Sequence, residues 1–184
     1  MIYSLSGVQG SGKTTTLNLL KQVDYFQDFS FVSEILRDLQ SRGFFINESG
    51  NNETQLAVVI MHLTNLLESQ SKAVIVDRGL LDVFAYTLYH HQTGQISKSI
   101  YNLVKNVFES NIYKYDQIFL FEPHGAPLED DGVRSMSLEW HDQINGYFHT
   151  IVKEYELSNV TILGEGTPAS RVSQITDWHV DNNL

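Results

Sequence analysis

The segment from Gly7 to Thr14 has the residue types and the spacing of a phosphate-binding loop. Its residues, Gly-Val-Gln-Gly-Ser-Gly-Lys-Thr, fit the pattern G-x-x-x-x-G-K-[ST] at every specified position. Glycines let successive backbone N–H groups turn toward one point, where the N-terminus of the following helix adds partial positive charge. We expect Lys13 to reach the β- and γ-phosphates of a nucleoside triphosphate and Thr14 to ligate the Mg²⁺ that bridges them. The candidate nucleotide-binding residues of the loop are Gly7, Gly10, Ser11, Gly12, Lys13, Thr14 and Thr15.

Two apolar runs end in carboxylates that are candidates for a second Mg²⁺ ligand. Asp77 follows the run 73–76, and Glu122 follows the run 118–121. A strand of this form delivers a carboxylate beside a phosphate loop, where it holds Mg²⁺ directly or through water. Asp77 is the preferred candidate because Arg78 adds a phosphate ligand at the same strand end, and Glu122 stays the alternative.

The chain contains only five arginines, which makes their positions informative. Arg78 follows Asp77, and Arg134 ends an acidic loop. A planar guanidinium that keeps its proton suits the negative charge spread over a moving phosphoryl group, so we expect both arginines to act there. For Arg42 and Arg171 the sequence favours surface ion pairs.

Glu34 and Arg37 lie one helical turn apart after the second apolar run. At the end of a strand, both side chains are candidates to face the phosphate acceptor. Glu34 would act as a base toward a hydroxyl acceptor, and Arg37 would bind an acceptor phosphate. A simple helix-surface pair between them is the structural alternative.

Strands and helices alternate along the chain. Short apolar runs typical of strands covered on both faces occur at 2–5, 29–32, 73–76, 118–121 and 160–163. They predict an α/β fold in three layers, in which a parallel sheet has helices on both faces.

Segments with helical period separate these runs, and their apolar stripes are predicted to form core. The stripes comprise Leu56, Val59, Ile60, Leu63, Leu66 and Leu67; Ile100, Leu103, Val104, Val107 and Phe108; and Trp140, Ile144, Tyr147, Phe148, Ile151, Val152 and Tyr155. Thr167 and Pro168 predict the cap and first residue of the last helix, whose polar tail, 181–184, should fray. The polar segment 123–136 is predicted to be a lid, because α/β folds place substrate chemistry in such loops.

Composition excludes several classes of protein. With 184 residues and 42% hydrophobic content, we expect one domain. The chain has no cysteine, so disulfides and thiolate zinc sites are excluded. No signal peptide and no apolar run of about 20 residues is recognisable, so a cytoplasmic location without membrane partners is expected. A formal charge of −10 opposes nucleic-acid binding and favours a small-molecule substrate.

The order of these motifs resembles that of small P-loop kinases. The phosphate loop, Glu34–Arg37, Asp77–Asp82 and Asp131–Ser135 are similar to elements of the ATPase/kinase family that includes ribosylnicotinamide kinase domains, and more distantly of deoxynucleoside and thymidylate kinases. This resemblance implies the strand order 2-3-1-4-5 and a lid that carries an arginine. It also implies that adenine lies near Gly166 and Pro168, in the loop before the last helix. Gly79 stands where thymidylate kinases have an aromatic residue, which argues against a thymidine-specific acceptor.

Together the motifs predict an ATP- and Mg²⁺-dependent kinase that phosphorylates a small nucleoside or nucleotide. A nucleotide-binding sensor that transfers no phosphate is the competing class, and a polynucleotide 5′-kinase is a third possibility that the acidity opposes. The sequence does not distinguish a hydroxyl from a phosphate acceptor, or ATP from another triphosphate. A homodimer is compatible with the sequence.

Overall fold

The computed structural model describes residues 1–33, 35–123, 137–164 and 166–183. Its sheet contains β1 (Ile2–Ser6), β2 (Ser30–Val32), β3 (Val74–Asp77), β4 (Gln117–Phe121) and β5 (Val160–Leu163). All neighbouring strands are parallel, and their order is β2-β3-β1-β4-β5. The α/β fold, the strand order and the approximate strand positions therefore agree with the predictions.

Burial explains why these runs form strands. Every residue of the central strands β1 and β4 is buried, whereas the edge strands β2 and β5 are partly exposed. A parallel strand covered on both faces needs a nearly continuous apolar run, and β-branched and aromatic side chains dominate these segments.

Helices cover both faces of the sheet. They are α1 (Lys13–Leu20), α2 (Ile35–Ser41), α3 (Asn52–Glu68), α4 (Leu80–Gln92), α5 (Lys98–Asn111), α6 (Leu138–Glu154) and α7 (Pro168–Asn183). Helices α3 to α6 pack together over the larger core, and α1 packs against α7 over the smaller one. Within the described part of the chain, no helix has both the length and the apolar character that a membrane span requires.

Side-chain caps define the beginnings of several helices. The side chains of Asn51, Ser97 and Ser137 each accept a hydrogen bond from the backbone N–H three residues later. At α7 the Thr167 hydroxyl accepts from Ser170 N at 3.2 Å, and Pro168 is the first helical residue, as predicted.

The predicted fraying of the C-terminal tail is wrong for residues 181–183. Helix α7 continues to Asn183, whose side-chain amide donates to the Tyr3 hydroxyl at 3.1 Å. This contact fastens the end of α7 to the first strand of the sheet.

The prediction that apolar stripes form core is only partly correct. On α3, Val59 and Leu66 are buried, but Ile60 is 53% and Leu67 is 50% exposed. Leu56 on α3 and Leu103 on α5 are also exposed. The buried residues of α3 include three polar ones, namely Thr54, Gln55 and His62. A helix that turns polar side chains inward needs something polar there to contact.

Candidate functional site

The predicted phosphate loop connects β1 to α1 and depends on glycine conformations. Gly7, Gly10 and Gly12 have φ angles of 133°, 72° and 86°, in the region that L side chains rarely adopt. A Cβ on Gly7 would also lie 2.6 Å from the carbonyl oxygen of Phe121 on β4. The neighbouring strand therefore forbids a side chain at the first position of the loop.

Lys13 places its charge inside this loop. The side chain is only 4% exposed, and its Nζ lies 2.8 Å from the Gly7 carbonyl oxygen, 2.6 Å from that of Val8 and 3.0 Å from the Ser11 hydroxyl. A buried ammonium within a glycine loop at a helix N-terminus favours an anion at that place.

Thr14 and Asp77 meet at the adjacent strand end. Because β1 and β3 are paired, Asp77 lies opposite Leu5, just before the loop. The Thr14 hydroxyl donates to Asp77 Oδ2 at 2.8 Å, whereas the buried Asp77 Oδ1 has no hydrogen-bond partner among the described residues. A hydroxyl beside an unsatisfied carboxylate oxygen is the kind of oxygen-donor set that Mg²⁺ prefers. Thr15, also predicted to bind nucleotide, lies exposed on α1.

The alternative carboxylate, Glu122, points to another part of the fold. Its Oε1 lies 2.7 Å from His149 Nε2, and its Oε2 accepts from Asn145 Nδ2 at 3.2 Å. Both partners belong to α6. This geometry favours Asp77 over Glu122 as the carboxylate of the phosphate site.

Arg78 lies at the boundary between the phosphate loop and the interior. Its φ of 73° is unusual for a residue that carries a side chain. Its NH1 donates to Asp82 Oδ1 at 3.3 Å, to the Tyr86 hydroxyl at 3.2 Å and to the Gly7 carbonyl oxygen at 3.4 Å. Burial tends to lower the pKa of Arg78, but Tyr86 and Asp82 together raise it, so the guanidinium keeps its proton.

Asp82 is a site residue to which sequence reasoning gave no role. It is 2% exposed and accepts hydrogen bonds from Gly7 N at 3.2 Å and from Gly79 N at 3.1 Å. Burial raises the pKa of its carboxyl, while Arg78 and Lys13 oppose the rise. The sequence signal for it is its place three residues after Gly79, where an acidic residue caps the start of α4.

A cavity with ≈ 460 Å³ of empty space, which opens to solvent, lies between α3 and α4. Its wall from α3 consists of Thr54, Gln55, Val58 and His62, and its wall from α4 consists of Asp82, Val83, Tyr86 and His90. Leu36, Ile46, Asn47, Gly50 and Arg78 complete the lining. Each helix contributes positions i, i+4 and i+8, so one face of each helix is turned to the cavity. Of the inward polar residues of α3, Thr54 donates to the Phe45 carbonyl oxygen at 2.6 Å and Gln55 Oε1 accepts from the Thr87 hydroxyl at 2.8 Å.

The cavity and the phosphate loop are also joined through Gln9. Its side-chain amide donates to the side chain of Asn47, which lines the cavity. Gln9 occupies a variable position of the phosphate-loop pattern, so no sequence pattern predicts this contact.

Several predicted site residues are not brought to this place by the described structure. Glu34 and Arg134 lie outside the described residues, as does the predicted lid from 124 to 136. Arg37 is exposed on α2 and does not line the cavity. Gly166 and Pro168 lie in the segment that opens α7.

The interpretation of Arg171 as a surface residue is wrong. It is 0% exposed, and its guanidinium donates to the carbonyl oxygens of Ser11, Glu122 and Gly164, the last two at 2.7 Å and 3.2 Å. Burial lowers its pKa, while Glu122 opposes the shift. Arg171 thus ties α7 to the phosphate loop and to the ends of β4 and β5. Arg42, by contrast, forms the expected exposed ion pair with Asp38 at 2.7 Å.

Comparison with known proteins identifies a domain family that covers most of this chain. A family model described as an AAA domain matches residues 3–171. No curated protein sequence matches the chain significantly.

Solved structures of small kinases have the same fold. A deoxyadenosine kinase from M. mycoides aligns with a TM-score of 0.72 and 12% identity over 98% of this chain and 100% of that chain. A NadR protein in complex with NR gives a TM-score of 0.70 and 16% identity over 100% of this chain and 51% of that chain. A thymidylate kinase from Ehrlichia chaffeensis gives 0.65 and 18%, with 97% of each chain covered. The predicted resemblance to P-loop kinases is confirmed at the level of the fold.

Proposed function

The chain belongs to the AAA domain family, and within it we propose that this protein is an ATP- and Mg²⁺-dependent kinase that transfers the γ-phosphate to a small nucleoside or nucleotide. The observation that carries the proposal is the convergence of two cations on one carbonyl oxygen. Lys13 of the phosphate loop and Arg78 of the cavity both donate to the Gly7 carbonyl, at 2.8 Å and 3.4 Å. The place suited to a triphosphate and the cavity suited to an acceptor are therefore neighbours.

On the donor side, the loop residues would bind the phosphates. The backbone N–H groups of residues 10–14 and the ammonium of Lys13 surround the position for the β- and γ-phosphates. Gly166 and Pro168 are proposed to contact the adenine, and Arg171 would hold their segment close to Ser11.

Thr14 and Asp77 are proposed to hold the Mg²⁺. The free Asp77 Oδ1 and the adjacent hydroxyl support this assignment. A bound Mg²⁺ would supply charge neutralisation on the β- and γ-phosphate oxygens.

On the acceptor side, four residues have proposed roles besides Arg78. Arg134 would come from the lid and stabilise negative charge on the phosphoryl group during transfer. Glu34 would take the proton of a hydroxyl acceptor, and Arg37 would contact an acceptor that already carries phosphate. Asp82, through its bonds to Gly7 N and Arg78, would orient the guanidinium toward the loop.

The test is transfer of phosphate from ATP to a panel of nucleosides and nucleoside monophosphates. ADP release and the mass of the phosphorylated product are measured for the wild type, for Lys13→Ala and for Lys21→Ala, whose lysine lies exposed at the end of α1. We expect transfer in the wild type and in Lys21→Ala, and transfer reduced by about a hundredfold or more in Lys13→Ala. Binding of ATP without transfer to any acceptor would instead indicate the sensor class.

A further inference from the structure

His62 is a buried polar residue whose bonding capacity the fold leaves unused. It is 4% exposed, and it makes no hydrogen bond with any other described residue. Two other buried histidines differ: His90 Nδ1 lies 2.6 Å from Gln95 Oε1, and His179 Nδ1 lies 2.8 Å from the Tyr3 hydroxyl. Neither of its ring nitrogens is among the fully buried side-chain atoms that lack a partner, so both stay accessible from the cavity, where a ligand or water can bond them.

The position of His62 shows where such a partner would lie. His62 lines the acceptor cavity and also a narrow gap that shares Arg78 with it. Arg78 lines both as well, so His62 stands on the wall that runs inward from the phosphate loop. A molecule that offers a hydroxyl to the loop would extend its remaining part along this wall.

Arg78 already places one positive charge on this wall, so a ligand that carries another positive charge is disfavoured there. Burial, followed by the charge of Arg78, lowers the pKa of His62 to about 3, so its imidazole is neutral at neutral pH. Asp82 is the only carboxylate among the described residues that line the cavity, and it already accepts from Gly7 N, Gly79 N and Arg78. A neutral imidazole offers one donor and one acceptor, which matches the edge of an uncharged nitrogen heterocycle.

We propose that His62 determines acceptor specificity by hydrogen-bonding the heterocycle of an uncharged nucleoside, and that the cavity discriminates against a nucleoside whose ring carries a positive charge. This inference rests on the proposed function, because it assigns the cavity to the acceptor. It narrows that function from nucleosides and nucleotides in general to neutral nucleosides.

The experiment compares the wild type with His62→Leu, which keeps the bulk but removes both nitrogens, and with His62→Gln, which restores hydrogen bonding. His179→Leu is the matched control, since it removes a buried imidazole on the other side of the sheet. The probes are adenosine, guanosine, cytidine, thymidine, nicotinamide riboside and the corresponding monophosphates. Steady-state kinetics give kcat and KM, and calorimetry without ATP gives Kd for each probe.

We expect one of the uncharged nucleosides to be the best wild-type acceptor, with kcat/KM about tenfold or more above that of nicotinamide riboside. For that nucleoside, His62→Leu should raise KM and Kd by about 10- to 100-fold, while kcat and the KM for ATP stay unchanged. His62→Gln should recover part of the loss, and His179→Leu should not change KM or Kd.

The outcomes separate this inference from the proposed function. If the wild type phosphorylates an acceptor but nicotinamide riboside or a monophosphate is the best one, the inference is overturned and the function stands. An unchanged nucleoside KM and Kd in His62→Leu overturns it as well. If no probe is phosphorylated but His62→Leu weakens nucleoside binding, the function fails while the assignment of His62 stands. If no probe is phosphorylated and none binds, both fail.

Discussion

At the scale of single residues, the charged side chains of the candidate site bond to residues of other secondary-structure elements and loops. Lys13 and Arg78 share the Gly7 carbonyl, and Asp82 accepts from both Gly7 N and Arg78. Removing one member of such a network leaves the others buried and unsatisfied, so functional and structural effects have to be separated by matched variants.

Lys13→Ala should lower kcat/KM for phosphate transfer by about a hundredfold or more, because its ammonium lies within the loop that would enclose the phosphates. The Kd for ATP should rise more than the Kd for the acceptor. Both constants are measured by calorimetry beside the Lys21→Ala control. Unchanged turnover in Lys13→Ala would remove the phosphate loop from the mechanism.

Asp77→Asn and Glu122→Gln distinguish the two candidate Mg²⁺ carboxylates. Because Asp77 bonds Thr14 whereas Glu122 faces α6, Asp77→Asn should raise the Mg²⁺ concentration needed for half-maximal rate by about tenfold or more. Glu122→Gln should leave this concentration unchanged. The Mg²⁺ dependence of the rate at saturating ATP is the measurement, and the reverse pattern would assign the role to Glu122.

Glu34→Gln and Arg37→Ala report on the acceptor group. A hydroxyl must lose its proton as phosphate arrives, so Glu34→Gln should lower kcat/KM for a nucleoside by about a hundredfold or more. Arg37 is exposed and outside the cavity lining, so Arg37→Ala should have little effect on the same reaction. If Arg37→Ala lowers kcat/KM strongly while Glu34→Gln keeps a kcat/KM close to that of the wild type, the acceptor group is a phosphate oxygen.

At the scale of secondary-structure elements, the sequence predicted the sheet better than the helices. The strands were predictable because a strand buried on both faces needs a continuous apolar run, and the start of α7 was predictable from Thr167 and Pro168. On α3, however, the spacing of the apolar residues indicated which side chains share a face of the helix. It did not indicate which face is buried. Ile60 and Leu67 are exposed because the opposite face of α3, which carries Val58 and His62, is turned to the cavity.

Several residues of the candidate site were predictable because they belong to local sequence patterns. The phosphate loop and Asp77 have local patterns, since the loop and one strand end create their geometry. Arg171 and Gln9 have none. Their roles come from contacts between segments far apart in the chain, with Arg171 bonding the carbonyl of Ser11 and Gln9 bonding Asn47.

Arg171→Ala should lower the free energy of unfolding by about 3 kcal/mol or more, because it leaves buried carbonyl oxygens without donors. Arg171→Lys should recover only part of this loss, since an ammonium cannot span three carbonyls as the planar guanidinium does. Urea unfolding measures both variants against Arg42→Ala, whose exposed ion pair contributes about 1 kcal/mol or less. Equal losses in Arg171→Ala and Arg42→Ala would contradict the structural role of Arg171.

At the scale of the whole molecule, buried titratable groups lie on both faces of the sheet. Burial lowers the pKa of His62 to about 3, and burial also lowers the pKa values of His90 and His179. Below the ordinary histidine pKa of about 6.5, the unfolded chain therefore binds protons that the folded chain does not. Asp82 acts in the opposite direction, because burial raises its pKa and the folded carboxyl takes up a proton first. Because three histidines lower the stability on acidification and only one carboxyl raises it, the folded state should be less stable at acidic pH.

The free energy of unfolding should consequently fall as the pH drops below about 6.5, with each unit of pH costing up to about 1.4 kcal/mol for each histidine that protonates only in the unfolded state. For His62 this contribution extends from about pH 6.5 down toward its folded pKa of about 3. Urea unfolding at about pH 7.5, 6.5 and 5.5 measures the dependence, and His62→Leu should flatten it because one such group is gone. Arg42→Ala, which removes a charge without touching a buried histidine, should keep the wild-type slope. A wild-type stability that does not change between these pH values, or an unaltered slope in His62→Leu, would show that protonation of the buried histidines is not what links folding to pH.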